Sequence, residues 1–282
     1  MRIVVGLDET GTETQLCDGW CYFGLMEDHV DKFNKEADAI RTKYGLNVFH
    51  ARNYDSEHFS AYLEFLQLIE KSTVDSPVSI CSTYLYRNDW NAKLHSFAER
   101  VYDEAADKVG VSNPQATKVA KKFLPPLMSL IKIGKDIGND NEFEVHFDSD
   151  NVKDQIDSHS LHYSTEIAIT LRRTLEIFAN NYRNIHFSDA PSIVATDIQV
   201  LDDEKSNIIQ AADVIGNFSN NYLFKALGST SKGRVEKAEI FDSVFGKHLS
   251  NIQIPEKVRI NGSNDLELLG AAAALSFIFG RY

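Results

Sequence analysis

Acidic residues recur at three separated points of this 282-residue chain, each beside a stretch patterned like regular structure. Asp8, followed by Glu9, closes the apolar run Ile3-Val4-Val5-Gly6-Leu7. Asp148, with Asp150 two residues on, closes Phe143-Glu144-Val145-His146-Phe147. Asp213 lies inside Gln210-Ala211-Ala212-Asp213-Val214-Ile215. Carboxylate oxygens are hard donors suited to Mg2+ or Mn2+, and a rigid element ending at an open loop is a good support for such a donor. Each acid also has a plainer reading. Asp-Glu-Thr-Gly is an ordinary turn sequence, Asp150 suits a helix cap, and Asp213 suits a salt bridge. Among Ala, Val and Ile, Asp213 needs the most explanation, because a buried carboxylate is costly unless paired or metal-bound.

The elements that must position these acids follow from apolar periodicity. Residues 2–8 predict a buried strand and residues 20–26 a second, antiparallel to it across a short connection, with Asp8 at a strand end. Residues 28–44 predict a helix stopped by Gly45, and His50 then falls in a connection. Residues 56–72 carry Phe59, Tyr62, Leu63, Phe65, Leu66 and Ile69 at helical spacing, and residues 78–86 predict a third strand. Residues 90–137 read as a helical insert broken at Gly110 to Pro114 and at Pro125-Pro126.

Residues 142–148 alternate and predict a fourth strand, with His146, Asp148 and a continuing Asp150 on one face. A long helix over 154–181 and strands over 185–187 and 193–201 follow, then a turn at Asp202-Asp203. Residues 205–227 predict an amphipathic helix with Gln210 and Asp213 on one face, where Ala211 and Ala212 allow close approach to other backbone. Beyond residue 234 the pattern predicts helix over 240–249 and 266–279, with no chemical motif.

An acid after the first strand, another after a later strand and a third on the following helix resembles, in order and context, the way an RNase H-like fold assembles its metal site. The chain also resembles the family called domain of unknown function 3800. The resemblance rests on Asp8-Glu9-Thr10-Gly11, Phe49-His50-Ala51, Phe147-Asp148-Ser149 and the stretch from Ser206 to Asp213, and it spans roughly residues 1–225. Thr10 stands where family members usually carry Ser, and Gln210-Ala211-Ala212-Asp213 meets the family's Gln-x-Ala-Asp pattern. The resemblance implies an α/β fold: an RNase H-like mixed sheet with an antiparallel opening hairpin, flanking helices and a helical insert. It implies Asp8, Asp148 and Asp213 as metal ligands, with Glu9 and Asp150 secondary to them. His50 is either an acid/base or phosphate-facing group near these acids, or a structural hydrogen-bonding residue. The expected organisation is one RNase H-like domain over 1–228, containing the insert at 90–137, and a helical extension over 229–282 packed on it.

Composition bounds the function. A hydrophobic fraction of 43% and a charged fraction of 25% are those of an ordinary folded protein. No apolar run is long enough to span a bilayer, and Met1 leads into a strand pattern without a secretory signal, so a cytoplasmic protein is expected. Cys17, Cys21 and Cys81 are then thiols, and Cys17-x3-Cys21 lacks a second half with zinc spacing. No Walker loop, dinucleotide fingerprint or His-Glu-x-x-His pattern occurs. The net charge of −12 argues against broad nonspecific binding to phosphate backbones, yet an acidic site attracts phosphate once divalent ions fill it. The expectation is a divalent-metal-dependent phosphodiester hydrolase acting on RNA or DNA. Its rivals are a small-phosphate-ester hydrolase and a noncatalytic RNase H-like scaffold that binds a protein partner in a defence or mobile-element system.

Overall fold

The computed structural model describes residues 1–10, 17–87, 142–148, 194–226, 228–251 and 273–279. The elements in these residues are β1 (Arg2–Thr10), β2 (Cys17–Met26), α1 (Glu27–Tyr44), α2 (Phe59–Asp75), β3 (Ser79–Arg87), β4 (Glu142–Asp148), β5 (Val194–Leu201), α3 (Asn207–Ala226), α4 (Lys232–Phe245) and β6 (Ala273–Phe279). The strands form one mixed sheet in the order β5-β4-β1-β2-β3-β6. β1 and β2 are the expected antiparallel hairpin, β2–β3 and β3–β6 are also antiparallel, and β4 runs parallel to both β1 and β5.

Alternation along β1 divides the sheet into two faces. Val4, Gly6, Asp8 and Thr10 share one face with their partners Leu25, Phe23, Cys21 and Gly19, and with Glu144, His146 and Asp148 of β4. α3 lies on this face. A Cβ at Gly6 would stand 2.3 Å from the carbonyl oxygen of Ile208, and one at Gly216 would stand 2.9 Å from Cβ of Cys21. The helix therefore rests almost on the strand backbone, which only glycine permits at those points. Ala211 and Ala212, the residues expected to allow close approach, are fully buried beside them. Opposite, Ile3, Val5, Leu7, Tyr22, Phe143, Val145 and Phe147 are all buried, so the apolar stretch of the central strands is covered on that face too.

The helices pack through aromatic side chains. Phe49 stacks on Phe65 of α2 with centroids 4.0 Å apart, and Tyr62 stacks on Phe218 of α3 at 5.6 Å. α1 ends at Gly45 in the left-handed conformation (φ 67°), as expected from the sequence. α2 is preceded by a 3-10 turn at Ser56–His58, and Asp55 caps that turn by accepting from the N–H groups of Glu57 and His58.

Two expectations need correction. β1 does not stop at Asp8 but runs to Thr10, because β2 extends back far enough to pair Glu9 with Trp20 and Thr10 with Gly19. Ala273–Phe279, the described part of the helix expected over 266–279, is instead β6, which pairs with β3. Ala-Ala-Leu-Ser-Phe-Ile-Phe is too short an apolar run for periodicity to assign, and the open edge of β3 supplies the ladder that decides it. Among the described residues, the C-terminal part comprises α4, a 3-10 segment at Gly246–Asn251 and β6, which widens the sheet. The insert at 90–137, the helix over 154–181, the strand over 185–187 and Asp150 lie outside the described residues.

Candidate acidic site

The parallel ladder of β1 and β4 pairs Leu7 with Phe147, which makes Asp8 and Asp148 the next residue of each strand, on the face that α3 covers. Asp213 reaches the same place from the second turn of α3. Asp213 and Asp148 both act on the Asp8 carboxyl through their charge. Burial, then Asp213, then Asp148, then Glu9 push the Asp8 carboxyl well above the ordinary carboxylate range, opposed by the N–H of Glu9. Asp8, Asp148 and Asp213 are each half-buried, and so are not fully insulated from solvent.

Glu9 alternates to the other face of β1 and is exposed, so it acts on Asp8 through charge and does not share its surroundings. His50 does join the group. Its Nδ1 lies 3.2 Å from Oδ2 of Asp213 and its Nε2 4.0 Å from Oδ2 of Asp203. The hydrogen bond to Asp213 raises the pKa of the imidazole; burial opposes this, while the charges of Asp213 and Asp203 reinforce it. The same Nδ1 is 3.2 Å from the N–H of Arg52. A protonated Nδ1 donates to Asp213, whereas a bare one accepts from Arg52.

Asp203 was missed by sequence reasoning, which read Asp202-Asp203 as a turn. That reading is locally correct: Asp202 caps a 3-10 turn over Asp203–Lys205. The turn nevertheless aims Asp203 inward, with 16% of its side chain exposed, and burial and the charge of Asp148 raise its carboxyl pKa. The available signal was an acid just ahead of a helix start. Ser206 supplies that start, its Oγ accepting from the N–H of Ile209 at 3.3 Å.

Gln210 is fully buried, and both ends of its amide are hydrogen-bonded. Its Oε1 accepts from the N–H of Phe49 at 3.0 Å and from Arg41 at 3.1 Å, and its Nε2 donates to the carbonyl of Asp203 at 2.8 Å. One turn on, Oδ2 of Asp213 accepts from the N–H of Ala51 at 2.7 Å. The Gln-x-x-Asp spacing thus fixes both segments that carry His50 and Asp203 to α3. Along β4, Glu144 bonds Arg2, His146 at 2.7 Å and Gln199 at 3.0 Å, and His146 meets Oγ of Ser206 at 3.2 Å. This polar chain joins β1, β4, β5 and the start of α3. Beneath the acids, Cys21 pairs with Asp8 across the hairpin. Burial and the nearby acids push its thiol pKa strongly upward, and Thr83 donates to its sulfur at 3.2 Å. It is an inert packing residue.

The donor set is all hard oxygen with one imidazole, which fits Mg2+ or Mn2+. The spacing is looser. Among the described residues, no three acid, histidine or cysteine side chains are already gathered as a cation cage. Also among the described residues, no helix is long and apolar enough to cross a membrane. The chain matches no protein-family model, no curated protein and no solved structure.

Proposed function

We propose that this protein is a divalent-metal-dependent phosphodiester hydrolase with an RNase H-like core, acting on RNA or DNA in the cytoplasm. The observation that carries the reading is the convergence of Asp8, Asp148 and Asp213, from β1, β4 and α3, with Asp8 held protonated more firmly than an ordinary carboxyl. Acids brought this close repel one another when ionised, and a proton or a bound cation relieves that repulsion. The strand order β3-β2-β1-β4-β5, with an antiparallel hairpin on one side of β1 and parallel strands on the other, supports the core assignment.

Asp8, central among the acids, would be the shared ligand of Mg2+ or Mn2+, with Asp148 and Asp213 on either side. Bound ions of this kind lower the pKa of water and stabilise a leaving oxygen. Asp203 and His50 lie beside these ligands. An imidazole with a raised pKa, held between two carboxylates, is suited to receive or return a proton near neutral pH. Asp8→Asn and Asp213→Asn should each abolish Mn2+-dependent cleavage of single-stranded and duplex oligonucleotides, and unchanged cleavage in both variants would rule the reading out.

A second reading has its own observation. Asp213 already spends Oδ2 on the N–H of Ala51, as a purely structural acid would. A noncatalytic scaffold for a protein partner would keep that bond and bind no Mn2+, so a calorimetric Mn2+ titration separates the two.

A further inference from the structure

α4 lies beyond the stretch that carries the sequence resemblance, and nothing in its sequence suggests chemistry. Its contacts say otherwise. Nζ of Lys237 donates to the carbonyl of Ala51 at 2.7 Å and to Oδ1 of Asn217 at 3.0 Å, and it sits 5.5 Å from the ring of Tyr54 and 5.6 Å from that of Phe218. The neighbouring Glu236 accepts from the hydroxyls of Ser56 at 2.7 Å and Tyr54 at 3.2 Å. Two consecutive residues of α4 therefore hold the segment that follows His50.

The other half of the grip comes from α2 and α3. The N–H of Phe49 goes to Gln210, the carbonyl of His50 accepts from the hydroxyl of Tyr62 at 2.7 Å, and the N–H of Ala51 goes to Asp213. Side chains of three helices thus fix consecutive main-chain groups on either side of His50. The peptide between His50 and Ala51 is held by Tyr62 at its carbonyl and by Asp213 at its N–H, and Lys237 holds the carbonyl of the next one, between Ala51 and Arg52. Burial of an ammonium group is costly, and the two rings beneath this one and its hydrogen bonds to Ala51 and Asn217 offset that cost. What the ammonium adds that a methionine of similar size would not is a hydrogen bond that orients the peptide unit after Ala51.

We infer that Lys237 is a positioning residue: α4 completes a clamp on residues 49–51 that fixes the His50 imidazole against Asp213 and Asp203. This rests on the proposed hydrolase reading for its kinetic consequence, but the clamp itself has an independent readout. A side chain that holds another in its reactive geometry changes turnover more than binding.

The experiment compares full-length wild type with Lys237→Met and Lys237→Arg, using bis(p-nitrophenyl) phosphate with Mn2+, and follows the His50 ring and Ala51 amide signals by NMR. Lys237→Met should lower kcat by about tenfold or more, with KM and Mn2+ affinity within about twofold, and should shift both signals. Lys237→Arg, which keeps a charged donor, should restore most of kcat. A kcat within twofold of wild type, or unmoved signals, in folded Lys237→Met overturns the inference, as does a Lys237→Arg variant no more active than Lys237→Met. Should Lys237→Met fail to fold, Tyr62→Phe tests the same clamp by deleting one hydroxyl, and unmoved His50 signals there overturn it. A wild type that neither hydrolyses the ester nor binds Mn2+ refutes the hydrolase reading alone, and the NMR signals then decide the clamp.

Discussion

Charge is handled in opposite ways at two places on this molecule. Between α1 and α2 runs a cleft of about 420 Å³ floored by Ala39, Ile40 and Leu68, along which Lys43 meets Glu64 at 2.6 Å and Lys71 meets Glu36 at 3.1 Å. Every one of those acids has a cation, and its hydrogen bond with Lys43 holds Glu64 below the ordinary carboxylate range. At the junction of β1, β4 and α3, acids face acids and Asp8 is pushed the other way. The first arrangement is a solvated helix surface that needs nothing more. In the second, like charges repel when ionised, and a proton or a cation would relieve them.

The comparison depends on how closely α3 approaches β1, so the largest effect is expected at Gly6. Gly6→Ala drives a methyl into the Ile208 backbone and should cost about 3 kcal/mol in denaturant unfolding. Next comes Gln210→Ala, which strands the buried N–H of Phe49 and frees the segments carrying His50 and Asp203. A loss of about 2–3 kcal/mol is expected by the same measurement. A loss below 0.5 kcal/mol in either variant, as at an ordinary surface position, would break the contrast between the two regions.

Asp8→Asn should instead stabilise the metal-free chain at pH 7, raising Tm by about 2–4 °C. The sign follows from the raised carboxyl. Above the ordinary value of 3.8, the unfolded chain loses a proton that the folded chain still binds, so this group's contribution to stability falls as pH rises through the folded value. His50 acts in the same sense from a higher starting point. Its contribution is full below 6.5 and is lost as pH rises through its raised folded value. A thermal-melt series from pH 4 to 9 should therefore flatten at the acid end in Asp8→Asn and at the neutral end in His50→Gln. The smallest effect belongs to the cleft, where Glu64→Gln should move Tm by less than about 2 °C.

Much of this organisation was legible in the sequence. The strand that carries Asp8, the alternation that puts Asp148 on its face and the helical spacing that joins Gln210 to Asp213 are local patterns, and local patterns survive folding. What stayed hidden depended on contacts between distant segments. Thr10 extends β1 only because Gly19 lies opposite, and Ala273–Phe279 is a strand only because the edge of β3 receives it. Asp203 looked like any turn acid until α3 drew that turn inward through Gln210. Lys237 is one lysine among many in the sequence, and only the packing of α4 on α3 brings it to Ala51.

The central claim is that the acids of β1, β4 and α3 form a divalent-cation site, and Mn2+ binding followed by electron paramagnetic resonance tests it most directly. Wild type should bind Mn2+ at pH 7 with a rise in Tm that grows with free Mn2+, and Asp8→Asn should lose both responses. A wild type that leaves Mn2+ free in solution with an unchanged Tm, or an Asp8→Asn variant that binds Mn2+ as tightly as wild type, would contradict it.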